Sequence, residues 1–330
     1  MMHLSTQAER WSLKTPLRDG GGVLSDLDVV VVTLTEGIHV GRGEAAGVHY
    51  HGESAQSIHE QITRVRWQIE TGVSREQLRD LLPSSGARNA VDCALWELEA
   101  MRSQCAVWQL AGLPPPRPLR TTFTIGADSP EAMASQALAF SVARALKLKL
   151  LGDELDGHRV RAVRQARPDA WLCVDANQSL TPRSYEALLP TLLEADISLI
   201  EQPFPAGNDA ALEIIEAPIP VAADESAQDV GDLARLPGRY EFVNIKLDKC
   251  GGLTQALAMA REARRLGLEV MVGCMAGTTL AMAPAFLAGQ LAHIVDLDGP
   301  PLLRADRRVP AVYESGNIWC PEAAWGGIAQ

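Results

Sequence analysis

Charged residues recur at nearly constant spacing in the middle of the chain, each where an apolar, β-forming run ends. The runs A-L-K-L-K, W-L-C-V-D, I-S-L-I-E, I-P-V-A-A-D and F-V-N-I-K end at Lys149, Asp175, Glu201, Asp224 and Lys246, at intervals of 26, 26, 23 and 22 residues. One strand, one helix and two short loops need about this length. Such apolar strands are typical of parallel sheets buried on both faces, where a charge is unfavourable unless it has a partner or a function.

These side chains could carry out metal-assisted proton transfer. If the strands are parallel, their carboxyl ends share one mouth and the three carboxylates lie close together. Their mutual repulsion predicts a hard divalent cation, one Mg²⁺ per subunit. Lys147 and Lys149 share one strand face, where the metal and a second ammonium would lower a lysine pKa towards that of a usable base. Lysines on opposite sides of a metal-bound carboxylate could remove a proton from one face of the adjacent carbon and return it to the other.

The same spacing predicts the fold that positions these groups. Three further β-forming runs, Thr121–Ile125 before them and Leu268–Val272 and His293–Val295 after them, bring the number of strands to eight. Eight strands joined by crossovers predict an α/β fold, a (β/α)8-type barrel whose last helix is missing, with its active site at the carboxyl ends of the strands. The proline-rich run at 113–118 is the linker that precedes the barrel.

The first part of the chain predicts an α+β capping domain. Val29–Leu34 and the run after it indicate an antiparallel hairpin or meander, and helical periodicity follows at 54–82 and 87–101. Glycines within 18–28 predict a mobile loop ahead of the hairpin. We therefore divide the chain into a capping domain at 1–115, a barrel at 116–300 and a C-terminal segment at 301–330 that returns to the cap.

Composition and charge are those of a soluble enzyme of about two domains. The 330 residues are 47% hydrophobic and 22% charged, and a formal net charge of −11 argues against a nucleic-acid partner. No run reaches the ~18 apolar residues of a membrane span, and the first residues lack the apolar core of a signal peptide. The six cysteines are scattered without a C-x-x-C pair, as in a reducing compartment. The sequence thus predicts a cytoplasmic enzyme with a small-molecule substrate and no membrane partner.

At the charged strand ends the sequence resembles the enolase superfamily, and within it the muconate-lactonizing subgroup. That family has K-x-K on the second strand, metal ligands on the third, fourth and fifth, and a lysine on the sixth; here these are K-L-K, D-A-N, E-Q-P, D-E-S and N-I-K-L, in the same order. The resemblance implies Mg²⁺ held by Asp175, Glu201 and Asp224, with lysine as acid and base. It also implies a homo-oligomer and a cap that carries the substrate-specificity loops.

The pair Asp296-x-Asp298 distinguishes among the activities of the subgroup, which include cycloisomerases, o-succinylbenzoate synthases, N-acylamino-acid racemases and dipeptide epimerases. It resembles the signature with which dipeptide epimerases, L-Ala-D/L-Glu epimerases among them, hold the substrate's α-ammonium. The resemblance implies inversion of the α-carbon of the C-terminal residue of an L,L-dipeptide. It implies proton transfer by Lys149 and Lys246, while Lys147 tunes Lys149 and stabilises the ene-diolate. The remaining roles that it implies are support of the ligands by Asn177 and Glu225 and shaping of the pocket by Thr124 and Met275.

The capping loop departs from the pattern of glutamate-specific relatives. Those relatives present an arginine there that grips the side-chain carboxylate, whereas here Asp19 is followed by three glycines and Arg18 is displaced by a few positions. Asp26 and Asp28 make the loop acidic. We expect L-Ala-L-Glu to be a poor substrate and neutral or cationic dipeptides to be preferred.

Other functions stay open on the sequence alone. A Schiff-base lyase would use one lysine covalently and need no cluster of three carboxylates, and a metal-dependent hydrolase would favour the histidine ligands that these strand ends lack. An N-acylamino-acid racemase or o-succinylbenzoate synthase would have no ammonium for Asp296 and Asp298 to hold. Each charged strand end could instead be a structural ion pair, and the aspartate pair a solvated turn before Gly-Pro.

Overall fold

An antiparallel meander opens the chain in the computed structural model, which describes residues 2–19, 22–215 and 218–328. Its strands are β1 (His3–Asp19), β2 (Gly22–Glu36) and β3 (His39–Ala45), paired in the order β1-β2-β3. The meander was predicted at β2 and β3, but β1 was not. Its polar residues hide the alternation, and its register with β2 shifts between Ser12 and Leu17.

The prediction of a loop at 18–28 is wrong for most of its length, while the mobility of this stretch stays a prediction. Arg18 and Asp19 belong to β1, and Gly22 to Asp28 belong to β2, with Asp19 paired to Gly22. The glycines suggested a loop, but the alternating backbone pairs of a long hairpin hold this stretch. Gly20 and Gly21 lie outside the described residues.

Helices pack on one face of the meander. The periodicity at 54–82 is interrupted, because the chain turns at Val65 and again at 71–77. Ser54 and Ser85 accept hydrogen bonds from backbone N–H groups of the helices that follow them, as N-caps do. The helices are α1 (Ala55–Arg64), α2 (Arg66–Glu70), α3 (Leu78–Leu81), α4 (Gly86–Ser103) and α5 (Val107–Leu110).

Glycine lets the longest of these helices lie directly against β3. A Cβ at Gly41 would stand 2.0 Å from the carbonyl oxygen of Ala94 in α4, and a Cβ at Gly43 would stand 2.1 Å from that of Ala90. No side chain fits at either position without moving backbone, so the sequence H-V-G-R-G is required by the approach of strand and helix.

The barrel has all eight predicted strands, parallel and in chain order around the sheet. The backbone N–H of Thr122 donates to the carbonyl of Val295 at 3.0 Å, which joins the first and last strands of the barrel. A two-residue strand before the barrel, β4 (Leu119–Arg120), belongs to a separate small sheet. The barrel strands are β5 (Phe123–Ile125), β6 (Ala145–Lys149), β7 (Trp171–Asp175), β8 (Ile197–Glu201), β9 (Val221–Ala223), β10 (Phe242–Lys246), β11 (Glu269–Gly273) and β12 (Ile294–Asp296).

The crossovers are less regular than the spacing suggested. In the described residues after β8 and β9 the chain forms only 3-10 helices, Ala210–Glu213 and Val230–Arg235, where α-helices were expected. A four-residue helix, α12 (Gly299–Leu302), is all that directly follows β12, which confirms the missing last helix. The described helices are all too short or too polar to cross a bilayer. The other barrel helices are α6 (Pro130–Ala139), α7 (Asp156–Ala166), α8 (Pro182–Glu194), α9 (Leu247–Cys250), α10 (Leu253–Arg265) and α11 (Thr279–Gly289).

The C-terminal segment contacts both parts of the molecule. Leu303 forms a bridge with Leu13 of β1, and the indole N–H of Trp325 donates to the carbonyl of Arg42 in β3 at 2.8 Å. Between these contacts, β13 (Val312–Glu314) and β14 (Asn317–Trp319) pair with β4. Residues 301–328 therefore contact both the cap and the foot of the barrel, while the boundaries at 115 and 300 stay predictions.

A buried ion pair joins cap and barrel where the last helix is missing. Glu44 of β3, 1% exposed, accepts hydrogen bonds from the backbone N–H of Thr278 at 2.8 Å and from the Nη2 of Arg307 at 2.6 Å. Arg307 also pairs with Glu9 of β1 at 2.7 Å. Burial raises the pKa of Glu44 even though Arg307 opposes the shift. The negative charge of the buried Glu44 carboxylate is thus balanced by Arg307.

We predict that Arg307→Met strongly destabilises the fold. Removing one partner of a buried ion pair leaves an uncompensated charge, so the free energy of unfolding should fall by about 3–5 kcal/mol, measured by urea denaturation. Arg308→Met, at the exposed neighbouring arginine, is the matched control and should change it by less than about 0.5 kcal/mol. Equal free energies of unfolding for the two variants would contradict the inference that Arg307 balances the buried charge of Glu44.

Candidate active site

The carboxyl ends of the barrel strands open into a cavity of about 460 Å³ beneath the cap. The three predicted catalytic lysines line it, together with Asp224 and the aspartates after β12. The cap contributes residues from its hairpin and from the loop that follows β3, including Tyr50. Asp175 and Glu201, both 0% exposed, lie behind this lining. The cavity therefore combines a charged floor from the barrel with a roof from the cap.

Lys147 lies among three carboxylates. Its Nζ donates to the carboxylate of Asp296 and lies 3.5 Å from Oε2 of Glu201 and 3.7 Å from Oδ2 of Asp175. Its side chain is only 3% exposed. The ammonium group of Lys147 thereby balances the negative charges of Asp175, Glu201 and Asp296, which lie at the ends of three different strands.

Lys149 and Lys246 each pair with one predicted metal ligand. Lys149 Nζ donates to Oδ2 of Asp175 at 2.6 Å and to Oδ1 of Asn177 at 3.0 Å. Lys246 Nζ donates to Oδ2 of Asp224 at 2.7 Å. Lys149 is on the second strand of the barrel and Lys246 on the sixth, so half the circumference separates them. The two amines therefore approach the mouth from opposite sides.

The three carboxylates predicted to bind a metal lie at neighbouring strand ends. Asp175 and Glu201 are register partners on β7 and β8, and Asp224 follows β9 directly. None is more than 1% exposed. Glu201 Oε1 accepts a hydrogen bond from Nδ2 of Asn244 at 2.6 Å, whereas Oε2 has no hydrogen-bond partner among the described residues.

This set fits a hard divalent cation. The donors are all carboxylate oxygens, the type that Mg²⁺ prefers, and the buried Oε2 of Glu201 is left without a hydrogen-bond donor. In the part of the chain that the structure describes, no three acidic, histidine or cysteine side chains already stand at coordinating distance. The ammonium groups of Lys147 and Lys149 lie against Asp175 and Glu201 in this arrangement.

Burial and mutual repulsion perturb the acids differently. Burial raises the pKa of Glu201 to about 7, and the neighbouring Asp175 carboxylate adds to the shift. Burial acts in the same direction on Asp224, but the ammonium groups of Lys246 and Lys249 outweigh it and hold its pKa well below its usual range. Asp224, whose two oxygens each have an adjacent ammonium group, therefore has the lower pKa of these two acids.

The pKa values of the three cavity lysines depend on the balance between burial and the adjacent carboxylates. Burial by itself would lower the pKa of Lys147, Lys149 and Lys246. The adjacent carboxylates outweigh burial, and all three pKa values are raised. The lowering expected beside a bound cation stays a prediction, since these shifts arise from the protein groups alone.

The aspartate pair after β12 faces the cavity from the edge where the barrel closes. The carboxylate of Asp296 contacts Lys147 and the hydroxyl of Thr122, while Asp298 Oδ2 accepts the backbone N–H of Thr124 at 2.5 Å. Both aspartates are at most 5% exposed. Burial and the charge of Asp296 raise the pKa of Asp298 to about 6. These contacts are not those of a solvated turn, so that alternative is excluded.

The remaining predicted positions are also at the cavity. Thr124, Met275, Asn177 and Glu225 all line it, and Asn177 Nδ2 donates to Glu225 Oε1 at 3.4 Å. Burial raises the pKa of Glu225 to about 8, with Asp224 adding to the shift. Asn177 has φ +42°, in the left-handed region, so the turn after β7 holds its side chain towards Lys149 at some backbone cost.

Three contributing residues were not predicted. Lys249 donates to Oδ1 of Asp224 at 2.6 Å, Asn244 bonds Glu201, and Thr122 bonds Asp296. Strand alternation could have identified Asn244, because it is two residues before Lys246 and shares its face. Nothing in the spacing indicates Lys249, since it lies on the short helix after the strand.

Comparison with known proteins relates both parts of the chain to one family. Residues 1–112 match the family model described as mandelate racemase / muconate lactonizing enzyme, N-terminal domain, and residues 131–328 match the enolase C-terminal domain-like model. The chain is 42% identical to L-Ala-D/L-Glu epimerase from Escherichia coli (strain K12) over 311 residues, which cover 94% of this chain and 97% of that protein. It is 39% identical to N-acetyl-D-glutamate racemase from a Pseudoalteromonas species over 252 residues, 76% of this chain and 79% of that protein.

A solved structure shares the whole architecture. It is a crystal structure of an enolase family member from Agrobacterium tumefaciens with homology to dipeptide epimerases, with sodium and L-Ala-L-Glu bound and an ordered loop. The match has a TM-score of 0.96 and 41% sequence identity and covers 99% of this chain and 100% of that one. The barrel, the cap and their relative placement are therefore common to the two proteins.

We predict that a divalent cation stabilises the folded chain through these carboxylates. Mn²⁺ or Mg²⁺ at about 100 times its dissociation constant should raise the free energy of unfolding by about 2.7 kcal/mol, measured by urea denaturation. Glu201→Gln should lose most of this gain because it removes one ligand charge. Glu186→Gln, at an exposed position of α8, should keep it. A gain of equal size in the Glu201 variant would refute the site.

Proposed function

Because this chain belongs to the enolase superfamily, with cap and barrel of the mandelate racemase and muconate lactonizing enzyme type, we propose that it is a Mg²⁺-dependent dipeptide epimerase. The reaction inverts the α-carbon of the C-terminal residue of an L,L-dipeptide. The observation that carries the proposal is the placement of Lys149 and Lys246 on strands half the barrel apart, on either side of one buried carboxylate cluster. A racemising enzyme needs a proton-transfer group on each face of the carbon that it inverts.

The α-carbon loses its proton to one lysine and receives a different proton from the other. One amine, neutral at that moment, takes the α-proton from one face, and the ammonium on the other face donates a proton to the same carbon. Mg²⁺, when bound by Asp175, Glu201 and Asp224, neutralises the substrate carboxylate and makes the adjacent C–H more acidic. Lys147 lies two residues before Lys149 on the same strand, where its positive charge opposes the rise in the pKa of Lys149 that Asp175 causes. The same charge would offset negative charge that develops on the substrate.

The buried aspartates support a dipeptide in preference to an N-acylated amino acid. Asp296 and Asp298 present two carboxyl groups at the cavity, at least one of them ionised, which is the complement of a free α-ammonium. An N-acyl substrate would bring a neutral amide to this place, so that Lys147 at Asp296 would be the only cation that these two carboxyl groups contact among the described residues and the substrate. N-acylamino-acid racemisation is the second candidate because of the similarity to N-acetyl-D-glutamate racemase. The same reasoning counts against an o-succinylbenzoate synthase.

A Schiff-base lyase is disfavoured by the carboxylate cluster. Such an enzyme uses one lysine covalently and needs no group of three buried acids. Here Asp175, Glu201 and Asp224 lie at neighbouring strand ends, each at most 1% exposed.

The cap favours neutral or cationic side chains on the C-terminal residue. Among the described residues that line the cavity there is no arginine, and its lysines are all on the barrel floor. The cap lining includes Leu17, Leu24 and Leu27 together with acidic groups, of which Asp26 accepts a hydrogen bond from Ser12 at 2.6 Å and Asp28 pairs with Arg10 at 2.7 Å. Asp28 is thus partly neutralised, but the part of the cap lining that the structure describes has no arginine or lysine to pair with a side-chain carboxylate.

Substitution of a single lysine should uncouple exchange from inversion. Lys149→Ala and Lys246→Ala should each lower epimerisation by about a hundred- to ten-thousandfold, because each removes the acid or base of one face. In D₂O each variant should still exchange the α-proton of one epimer only, and opposite epimers for the two variants, read by NMR. Lys14→Ala, an exposed lysine outside the cavity, is the control. Loss of exchange with both epimers in both variants would contradict the two-base arrangement.

A dipeptide library in D₂O, read by mass for deuterium uptake, tests the substrate class. We expect neutral and cationic C-terminal residues to exchange fastest and L-Ala-L-Glu to exchange slowly. N-acetyl amino acids with the same side chains form the matched arm and should exchange least. Fastest exchange on L-Ala-L-Glu would reject the side-chain preference, and fastest exchange on the N-acetyl compounds would favour the racemase.

A further inference from the structure

A fourth lysine lies beneath the site and takes no part in the proton transfer described above. Lys249 is 0% exposed, and it is not among the described residues that line the cavity. Its Nζ donates to Oδ1 of Asp224 at 2.6 Å, to the backbone carbonyl of Asp224 at 2.5 Å and to the carbonyl of Asn244 at 2.9 Å. These three bonds use all three N–H groups of the ammonium, so its position is fixed.

The contact divides the two oxygens of Asp224 between two lysines. Oδ1 is held from below by Lys249, while Oδ2 contacts Lys246, which lines the cavity. Because Lys249 also holds the backbone carbonyl of the same residue, the carboxylate plane cannot rotate without breaking a buried charge-assisted bond. Oδ2 is thereby kept directed at the mouth.

The local sequence explains how a lysine three residues after Lys246 reaches this place. β10 passes directly into α9, a single turn that ends at Gly251 with φ +82°. A Cβ at Gly251 would stand 2.1 Å from Nε of Arg88, so glycine is needed on steric grounds as well. The turn directs Lys249 under the strand end, while its neighbour Asp248 accepts the backbone N–H of Gly47 in the cap at 2.9 Å.

We propose that Lys249 is a positioning residue that orients Asp224 for the divalent cation. This rests on the proposed function only in taking Asp224 as a cation ligand. The lysine fixes one oxygen and the backbone of Asp224, so that the other oxygen is presented as a single preorganised donor. Groups that hold a metal ligand in this way raise metal affinity about 10- to 100-fold. An ion pair that served packing alone would leave that affinity unchanged.

The test measures cation affinity without substrate. Purified full-length chain is titrated with Mn²⁺, and free Mn²⁺ is followed by electron paramagnetic resonance. Lys249→Met should bind Mn²⁺ at least tenfold more weakly than the wild type. Lys249→Arg, which keeps the charge but cannot reproduce three bonds from one nitrogen, should show a smaller loss. Asp248→Asn is the matched control, because it alters a buried charged residue on the same turn and should bind Mn²⁺ within twofold of the wild type.

Circular dichroism and urea denaturation establish that each variant is folded. A folded Lys249→Met variant that binds Mn²⁺ within twofold of the wild type overturns the proposal. If that variant does not fold, Lys249→Arg decides: weakened Mn²⁺ binding supports the positioning role, and unchanged binding in the folded arginine variant overturns it. Wild-type chain that binds Mn²⁺ but epimerises no dipeptide would reject the proposed function and leave this inference standing.

Discussion

The repulsion between buried carboxylates at one end of the barrel is the constraint on which the rest of the structure depends. Asp175, Glu201 and Asp224 are almost wholly shielded from water, and each is compensated by polar side chains from neighbouring parts of the barrel. Lysine ammonium groups supply that compensation in the chain itself, which raises their pKa values. A divalent cation that takes over the carboxylates would release the amines as acid and base. The same electrostatic balance thus serves both stability and chemistry.

Much of this site could be predicted from sequence, because in a barrel the spacing of the strands along the chain determines which residues lie at the mouth. A residue at the end of a buried parallel strand must lie at the mouth, so the recurring charges after five apolar runs were sufficient to bring Lys149, Asp175, Glu201, Asp224 and Lys246 together. The resemblance to a family added what spacing could not give, namely the choice of substrate and the meaning of the aspartate pair.

The parts that were missed depend on tertiary context. Lys249 reaches Asp224 only because α9 turns back under its strand. In the described residues of two crossovers the chain forms 3-10 helices instead of the α-helices that their lengths allowed. β1 carries too many polar residues for its alternation to be read, because one of its faces is solvated and its pairing with β2 supplies the order. The lysine pKa directions could not be read from residue types, since they depend on the balance between burial and carboxylates a few ångströms away.

The absence of an eighth barrel helix has a consequence for how the two folding units can be separated. Residues 303 to 326 run along the side of the barrel where the last helix is missing and contact β1 and β3. The C-terminal segment is therefore part of the packing of the cap. A cut at the proline-rich linker would yield an N-terminal fragment without Arg307 and Trp325 and a barrel fragment with an unsupported tail. Exchange of caps between relatives by simple fusion at the linker is therefore obstructed, and new specificities are more readily reached by changing loops than by recombining domains.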